Sequence, residues 1–371
     1  MSEGQSGSVE ERSMPSGWRS LATLLEEHRG ERHLLVLQEY PDPDAIASAM
    51  AHRWISRRFE IDADIVYGGQ ISHQENRGLV KLIGLDLIRF RDGIDISRYD
   101  GAVFLDNQGT TASEIVAALQ AAYVPILAVI DHHEPQGVLQ PKLEDIRRIG
   151  ATASMYASYL REGLIELDPD EDEDVKLATA LMHGIMSDTG DFVRATGADF
   201  EAAAFLSRWR DVGLLGQIIG QSRTPQTMQI LQRALEDRQV VEGHSIVGVG
   251  HLDEQDRDAI PQAADLLLSE SNVHTAIVFG ILERKESGPM MVGSLRTSKL
   301  TLNPDEFIKS AFGQADDGSY FGGGKPSAGA FEIPLANLQG DGRSSGEAAQ
   351  WTAYQQHVKQ RLFDKLDLSG T

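Results

Sequence analysis

The sequence predicts an α/β protein of two domains: a mostly parallel sheet first, then a smaller α/β unit. Three observations lead there. Between residues 33 and 185, short apolar runs alternate with segments of helical spacing, as expected of a parallel sheet wrapped by helices. Three of those runs stop against residues that carry chemistry. A second series of strand-like and helix-like segments follows a polar helical stretch at 224–237.

In the first domain the strands are expected at 33–38, 63–67, 101–106 and 125–131, with helices at 44–59, 111–121 and 174–186. The acidic run 168–174 reads as a solvated turn capping the last of these helices. In the second domain, strands are expected at 245–250, 275–282 and 290–295 and helices at 264–268 and 304–312. The expected organisation is a disordered lead-in at 1–16, a first domain at 17–220 and a connector helix at 221–238. A second domain at 239–336, a flexible linker at 337–350 and a final helix at 351–367 complete it. Trp351, Tyr354, Val358, Leu362 and Leu366 form one stripe of that helix, suited to packing on the body or on a second subunit, so a homodimer is compatible.

Composition narrows the function. A chain of 371 residues that is 41% hydrophobic can bury a sizeable core. It has no cysteine, so a metal would be held by oxygen and imidazole, and the expected compartment is the reducing cytoplasm. No run approaches the roughly 20 apolar residues of a bilayer span, and the Ser/Gly/Glu-rich N-terminus has no apolar signal core, so no membrane is expected. The formal charge of −22 serves solubility first. It also disfavours a long nucleic-acid track, while leaving room for a short anion in a metal-filled pocket.

Four motifs carry the chemistry, each placed after an apolar run. Asp42-Pro43-Asp44 sets two carboxylates beyond a strand, on a turn stiffened by Pro43. Asp106 supplies a carboxylate able to bridge two cations. Asp131-His132-His133 supplies imidazoles, with Asp131 able to orient a neighbouring His. Ser187-Asp188-Thr189-Gly190 closes a helical segment, and Gly190 permits a sharp turn. Singly, each has a plain reading as a cap or turn. Together, on the carboxyl rim of one α/β sheet, they describe a site for Mn²⁺ or Mg²⁺, with Co²⁺ or Zn²⁺ as further options. His73 and His183 are read as structural.

The order of these motifs, beginning Pro41-Asp42-Pro43-Asp44-Ala45-Ile46-Ala47-Ser48, resembles that of the DHH phosphoesterases. Ser294-Leu295-Arg296-Thr297-Ser298, followed by Phe321-Gly322-Gly323-Gly324-Lys325-Pro326-Ser327-Ala328-Gly329, resembles the substrate-binding domain associated with them. The resemblance spans roughly residues 30 to 335, and its nearest subgroup is the nanoRNase and pAp-phosphatase-like proteins.

It implies a catalytic first domain with one Mn²⁺ on Asp42 and Asp106 and a second on Asp44, Asp106, His132 and Asp188. His133, oriented by Asp131, would face the phosphate. Arg296, Gly322, Gly323, Gly324 and Lys325 would hold the substrate. The implied partner is a small phosphorylated nucleotide or short oligonucleotide, hydrolysed by a metal-activated water. Pyrophosphate, polyphosphate and cyclic dinucleotides are rival substrates on the same metal core. A nucleotide-binding sensor with weak or no hydrolysis is an alternative of a different class. Two departures motivate that alternative: Gln38 stands where the family has a metal-binding His, and Lys325 stands where its glycine-rich loop carries a His.

Overall fold

A computed structural model describes residues 17–71, 73–90, 94–220, 224–284, 288–338 and 347–366. The lead-in expected at 1–16, residues 221–223 of the expected connector, residues 339–346 of the expected linker and residue 367 of the final helix lie outside them. The chain divides into two compact units, Met1–Ile71 with Glu75–Gln221, and Ser72–Gln74 with Ser222–Thr371.

The first unit runs α1 (Gly17–Glu27), β1 (Arg32–Val36), α2 (Pro43–Arg57), β2 (Asp62–Tyr67), α3 (Gln74–Ile83), β3 (Ile88–Arg89), β4 (Gly101–Leu105) and α4 (Ser113–Ala121). It continues with β5 (Ile126–Asp131), β6 (Leu143–Ile146), α5 (Thr152–Arg161), α6 (Asp172–Thr189), α7 (Gly197–Leu206) and α8 (Val212–Ile219). All six strands are parallel, in the order β3-β2-β1-β4-β5-β6. Both faces of such a sheet are covered, so its central strands are apolar throughout rather than alternating. Leu34, Leu35 and Val36 on β1 and Val103, Phe104 and Leu105 on β4 are accordingly all buried.

From β1 the strand order departs in both directions, which makes the gap between the carboxyl ends of β1 and β4 a topological switch point. That is where an open α/β sheet leaves a crevice. Residues 38–44 follow β1 into it, and Asp106 follows β4.

The second unit runs α9 (Pro225–Asp237), β7 (Gln239–Val241), β8 (His244–Asp253), α10 (Ala259–Leu268), β9 (Thr275–Glu283), β10 (Met290–Thr297), α11 (Pro304–Phe312), β11 (Gly322–Lys325), β12 (Ala328–Pro334) and α12 (Glu347–Lys365). Its sheet has the order β11-β12-β10-β9-β8-β7, with only β8 and β9 parallel. One face is packed by α9 and α10 through Ile230, Leu231, Ala234, Ile260 and Ala264. The other is packed by α11 and α12.

Two segments read as connections take part in this packing. The stretch 224–237, expected as a connector, is α9, and its apolar side belongs to the core of the second unit. Within the expected linker, Leu338 is buried in the core and α12 already begins at Glu347. The stripe of α12 seats Val358 and Leu362 fully within this same core.

Candidate metal centre

The rim of the first sheet is assembled from four segments. Asp42 is the N-cap of α2 and accepts the Ala45 N–H at 3.0 Å, while Pro43 at N1 supplies the backbone geometry a helix start requires. Asp44, one residue further, is fully buried and accepts the N–H groups of Thr152 and Ala153, both at 2.7 Å. Those are the first two amides of α5. The open amides and positive end of that helix are thus aimed at the Asp44 carboxylate.

Asp106 follows β4 with φ 58, a left-handed conformation that aspartate tolerates better than most residues. It is buried and accepts the Thr152 Oγ1 hydroxyl at 2.9 Å. Asp131 ends β5 and is closed over by donors: the N–H groups of His132 and His133, the His133 Nδ1–H at 2.8 Å and the Gln108 amide at 2.6 Å. Burial opposes its ionisation, yet the His133 imidazole and these donors hold its pKa below the ordinary value.

His132 is the hub. Its Nδ1 donates to the Ile149 carbonyl at 3.1 Å, which turns Nε2 into the cluster. Nε2 lies 3.1 Å from Asp188 Oδ2, 3.5 Å from Asp106 Oδ1 and 3.9 Å from Asp44 Oδ2. Asp188 comes from the last turn of α6, just before Gly190 ends that helix at φ 60. Gly184 of the same helix lies where a Cβ would sit 3.2 Å from the Asp44 Cα and the Pro43 carbonyl, so glycine lets α6 close onto the start of α2.

Three carboxylates around one imidazole, mostly out of water, disfavour one another's ionisation unless protons or a cation offset their charge. The titration shifts register this. Burial lifts Asp44 to about 7, with Asp188 and Asp42 adding to the rise against the pull of His132. Burial lifts Asp106 well above the carboxylate range, reinforced by Asp44 and Asp42. His132 is raised to about 9, because Asp188 and Asp44 outweigh the burial that disfavours its charge. Hard oxygen donors plus a lone-pair imidazole, with no thiolate, fit a divalent cation such as Mn²⁺, Mg²⁺ or Co²⁺.

The acidic and imidazole residues of this cluster stand in charged motifs of the sequence, whereas the groups that brace them do not. The stretch 149–153 positions His132 through Ile149, Asp44 through Thr152 and Ala153, and Asp106 through the Thr152 hydroxyl. The Gly150 N–H donates to Asp199, and a Cβ there would meet Asp199 and Thr189 at 2.5 Å. Neither Thr152 nor Gln108 stands in a charged motif, so only their buried hydrogen bonds identify them. Gln38 follows the end of β1 and is half-buried. His183 is buried on α6, with Nε2 3.2 Å from Glu75.

In the second unit, Arg296, Ala328 and Lys325 are in register across β10, β12 and β11. Directly paired residues share a face of the sheet, so Arg296 and Lys325 stand on one side, about 10 Å apart across two strand spacings. Arg296 Nε donates to Asp265 at 2.8 Å and Nη1 to Ser294 Oγ at 2.8 Å.

The glycines expected as a phosphate-gripping loop form a strand instead. Gly322, Gly323 and Gly324 pair with Phe331, Ala330 and Gly329. The reason is steric: a Cβ at Gly322 would lie 2.3 Å from the Ala330 carbonyl oxygen, and one at Gly324 2.6 Å from that of Ala328. The Gly324 N–H is taken by Asp305 at 3.1 Å, so it is not among the amides offered to an anion.

No protein-family model matches the chain. Over 313 residues, 84% of this chain, it is 37% identical to an uncharacterized protein of Methanocaldococcus jannaschii. Over 188 residues, 44% of this chain, it is 30% identical to the cyclic-di-AMP phosphodiesterase PdeA of Listeria monocytogenes. The matches cover 59% and 28% of those proteins, so the chain spans less than two thirds of either. Among solved structures, an exopolyphosphatase-related protein from Bacteroides fragilis superimposes with a TM-score of 0.67 at 17% identity, over 96% of this chain and 99% of that one. The exonuclease RecJ bound to manganese superimposes at 0.50 and 14% identity, over 95% and 97%. Among the described residues, no helix is long and apolar enough to cross a membrane.

Proposed function

We propose that this chain, whose fold is that of the DHH-domain proteins, is a metal-dependent phosphoesterase acting on short oligonucleotides or 3′,5′-bisphosphorylated nucleosides. One observation carries the reading: Asp44, Asp106 and Asp188 converge on His132 Nε2 from three separate segments. Asp42, Asp44, Asp106, His132 and Asp188 would hold the ions, with Asp106 shared. The inclusion of Asp42 is supported by its charge, which helps to raise the pKa of both Asp44 and Asp106. Bound divalent ions supply a hydroxide-like water and neutralise the phosphoryl oxygens.

The chain's own groups do the rest. Asp131 fixes the tautomer of His133 by accepting from Nδ1 at 2.8 Å. His133 then presents its other ring nitrogen to the substrate phosphate, and with a proton on that nitrogen as well it would donate to a phosphoryl oxygen and stabilise its charge in the transition state. Arg296 and Lys325 supply cationic contacts for a further phosphate, Lys325 as a point charge and Arg296 as a planar fork. The Mn²⁺ borne by RecJ supports the choice of cation. The name of the Listeria relative makes a cyclic dinucleotide the first rival substrate.

Purified protein with Mn²⁺ should release mononucleotide from a 5′-phosphorylated dinucleotide. Absence of turnover across Mn²⁺, Mg²⁺ and Co²⁺ with dinucleotides, bisphosphorylated nucleosides, cyclic dinucleotides and pyrophosphate would sink the proposal. A sensor is favoured by two features, Gln38 and Lys325, each in place of an imidazole. Tight nucleotide binding without turnover, unchanged by Gln38→His, would establish that second reading.

A further inference from the structure

The first unit carries a second constellation of metal-ligand type at the opposite end of β1 from the rim. His28 follows α1, Gly30 turns the chain at φ 80, Glu31 leads into β1 and His33 is its second residue. The spacing His-x-x-Glu-x-His brings two imidazoles and a carboxylate together, one ligand atom from each lying within 4.8 Å of the others. Glu31 Oε2 accepts from His28 Nδ1 at 2.7 Å and from His33 Nε2 at 3.2 Å. His28 is 9% exposed and His33 1%.

The 3.2 Å separation is near the roughly 3.3 Å between adjacent ligands of a tetrahedral ion with bonds of about 2.0–2.1 Å, while the 2.7 Å one is that of a hydrogen bond with a proton between the two ligand atoms. A carboxylate oxygen shared by two imidazole N–H groups is also the arrangement left when protons stand in for a cation on the same three atoms. We propose that His28, Glu31 and His33 form a site for Zn²⁺ or a similar borderline transition ion, bound through His28 Nδ1, Glu31 Oε2 and His33 Nε2.

Two imidazoles and one carboxylate favour such an ion over Mg²⁺ or Ca²⁺, which select oxygen. The site ties the end of α1 to β1, and β1 runs from it toward the crevice rather than away. Its role is therefore to hold the sheet's lower end, apart from the hydrolytic chemistry. The inference does not depend on the proposed activity.

Lys142 sets the conditions for loading. Its Nζ lies 3.0 Å from His28 Nε2, so in the ion-free chain the ammonium donates to Nε2 and the imidazole proton sits on Nδ1. Binding through Nδ1 requires that proton to move to Nε2, which then repels the ammonium. Lys142 is exposed and can swing into water, but while docked it competes with the ion.

Zn²⁺ retained after dialysis, measured by elemental analysis, tests this on the full chain. An equivalent should persist in Asp106→Asn and disappear in His28→Gln. Lys142→Ala should tighten Zn²⁺ binding by about tenfold by removing the competitor. Co²⁺ added to Asp106→Asn should develop the strong visible absorption of a tetrahedral ion. Equal Zn²⁺ content in wild type and His28→Gln would overturn the proposal. So would an unchanged Zn²⁺ affinity in Lys142→Ala, which replaces an exposed side chain and tests the site even if His28→Gln fails to fold.

Discussion

The rim of the first sheet and the cationic row of the second manage charge in opposite ways. Asp44 and Asp106 are buried, crowd one another and have strongly raised pKa values. Arg296 keeps contact with solvent and is steadied by Asp265, while Lys325 is exposed on an edge strand. Crowded buried anions require a partner and specify a cation closely. Exposed cations tolerate many anions and specify little. Ion identity should therefore be governed by the first region and substrate affinity by the second, and substitutions can separate the two.

Asp106→Asn should have the largest effect. It removes the shared charge while keeping shape, and losing several kcal/mol of transition-state stabilisation corresponds to a fall of about a thousandfold in kcat. Steady-state kinetics with Mn²⁺ on a 5′-phosphorylated dinucleotide would measure it, and a loss confined to KM would contradict the division of labour. Lys325→Gln with Arg296→Gln should do the reverse, raising KM by about 10–100-fold with metal affinity unchanged. An altered Mn²⁺ stoichiometry in that double variant would merge the two regions.

Thr152→Val sharpens the comparison within the rim. It deletes the hydroxyl that donates to Asp106 at 2.9 Å and keeps the amide that serves Asp44, so Mn²⁺ affinity should weaken by about 10–100-fold. Thr152→Ser should restore it, which a purely steric role would not require.

Protons compete with the ion for His132, raised to about 9, and for Asp44, raised to about 7. Mn²⁺ affinity should therefore rise with pH through this range, by about tenfold per unit for each proton released, and calorimetry in buffers of different ionisation heat would count those protons. In the ion-free chain the raised His132 contributes stability that is fully present below its unfolded pKa near 6.5 and is lost as pH rises through about 9. Urea midpoints between pH 6 and 10 should show the decline.

Much of the first region was legible because its burial is written in the sequence. Apolar runs 33–38 and 101–106 had to be strands, and polar residues directly after them had to lie on the rim. Asp42, Asp44, Asp106 and His132 follow such runs and Asp188 closes a helix, so the sequence itself points to them; the structure brings Asp44, Asp106 and Asp188 to His132. Thr152 and Ala153 were not: they act through backbone amides and a hydroxyl, groups that every sequence contains in abundance. The helix they begin was missed because alanine, serine and tyrosine in 151–159 give no clear apolar stripe.

The second region was harder to read. Three consecutive glycines suggest a flexible loop from local preference, and only contact with residues 304–308 and 328–331 reveals why side chains are excluded from an edge strand. The stretch 224–237 reads as polar because α9 buries only one side, against β8 and α10, which follow it in the chain.

Residues 149–153 touch ligands for both proposed ion positions, since Ile149 steers His132 and Thr152 reaches Asp44 and Asp106 together. A displacement of this short bracket would spoil both positions at once. Occupancy should consequently be concerted: the first ion draws the bracket into place for the second, and a binding isotherm rises in a single steep step.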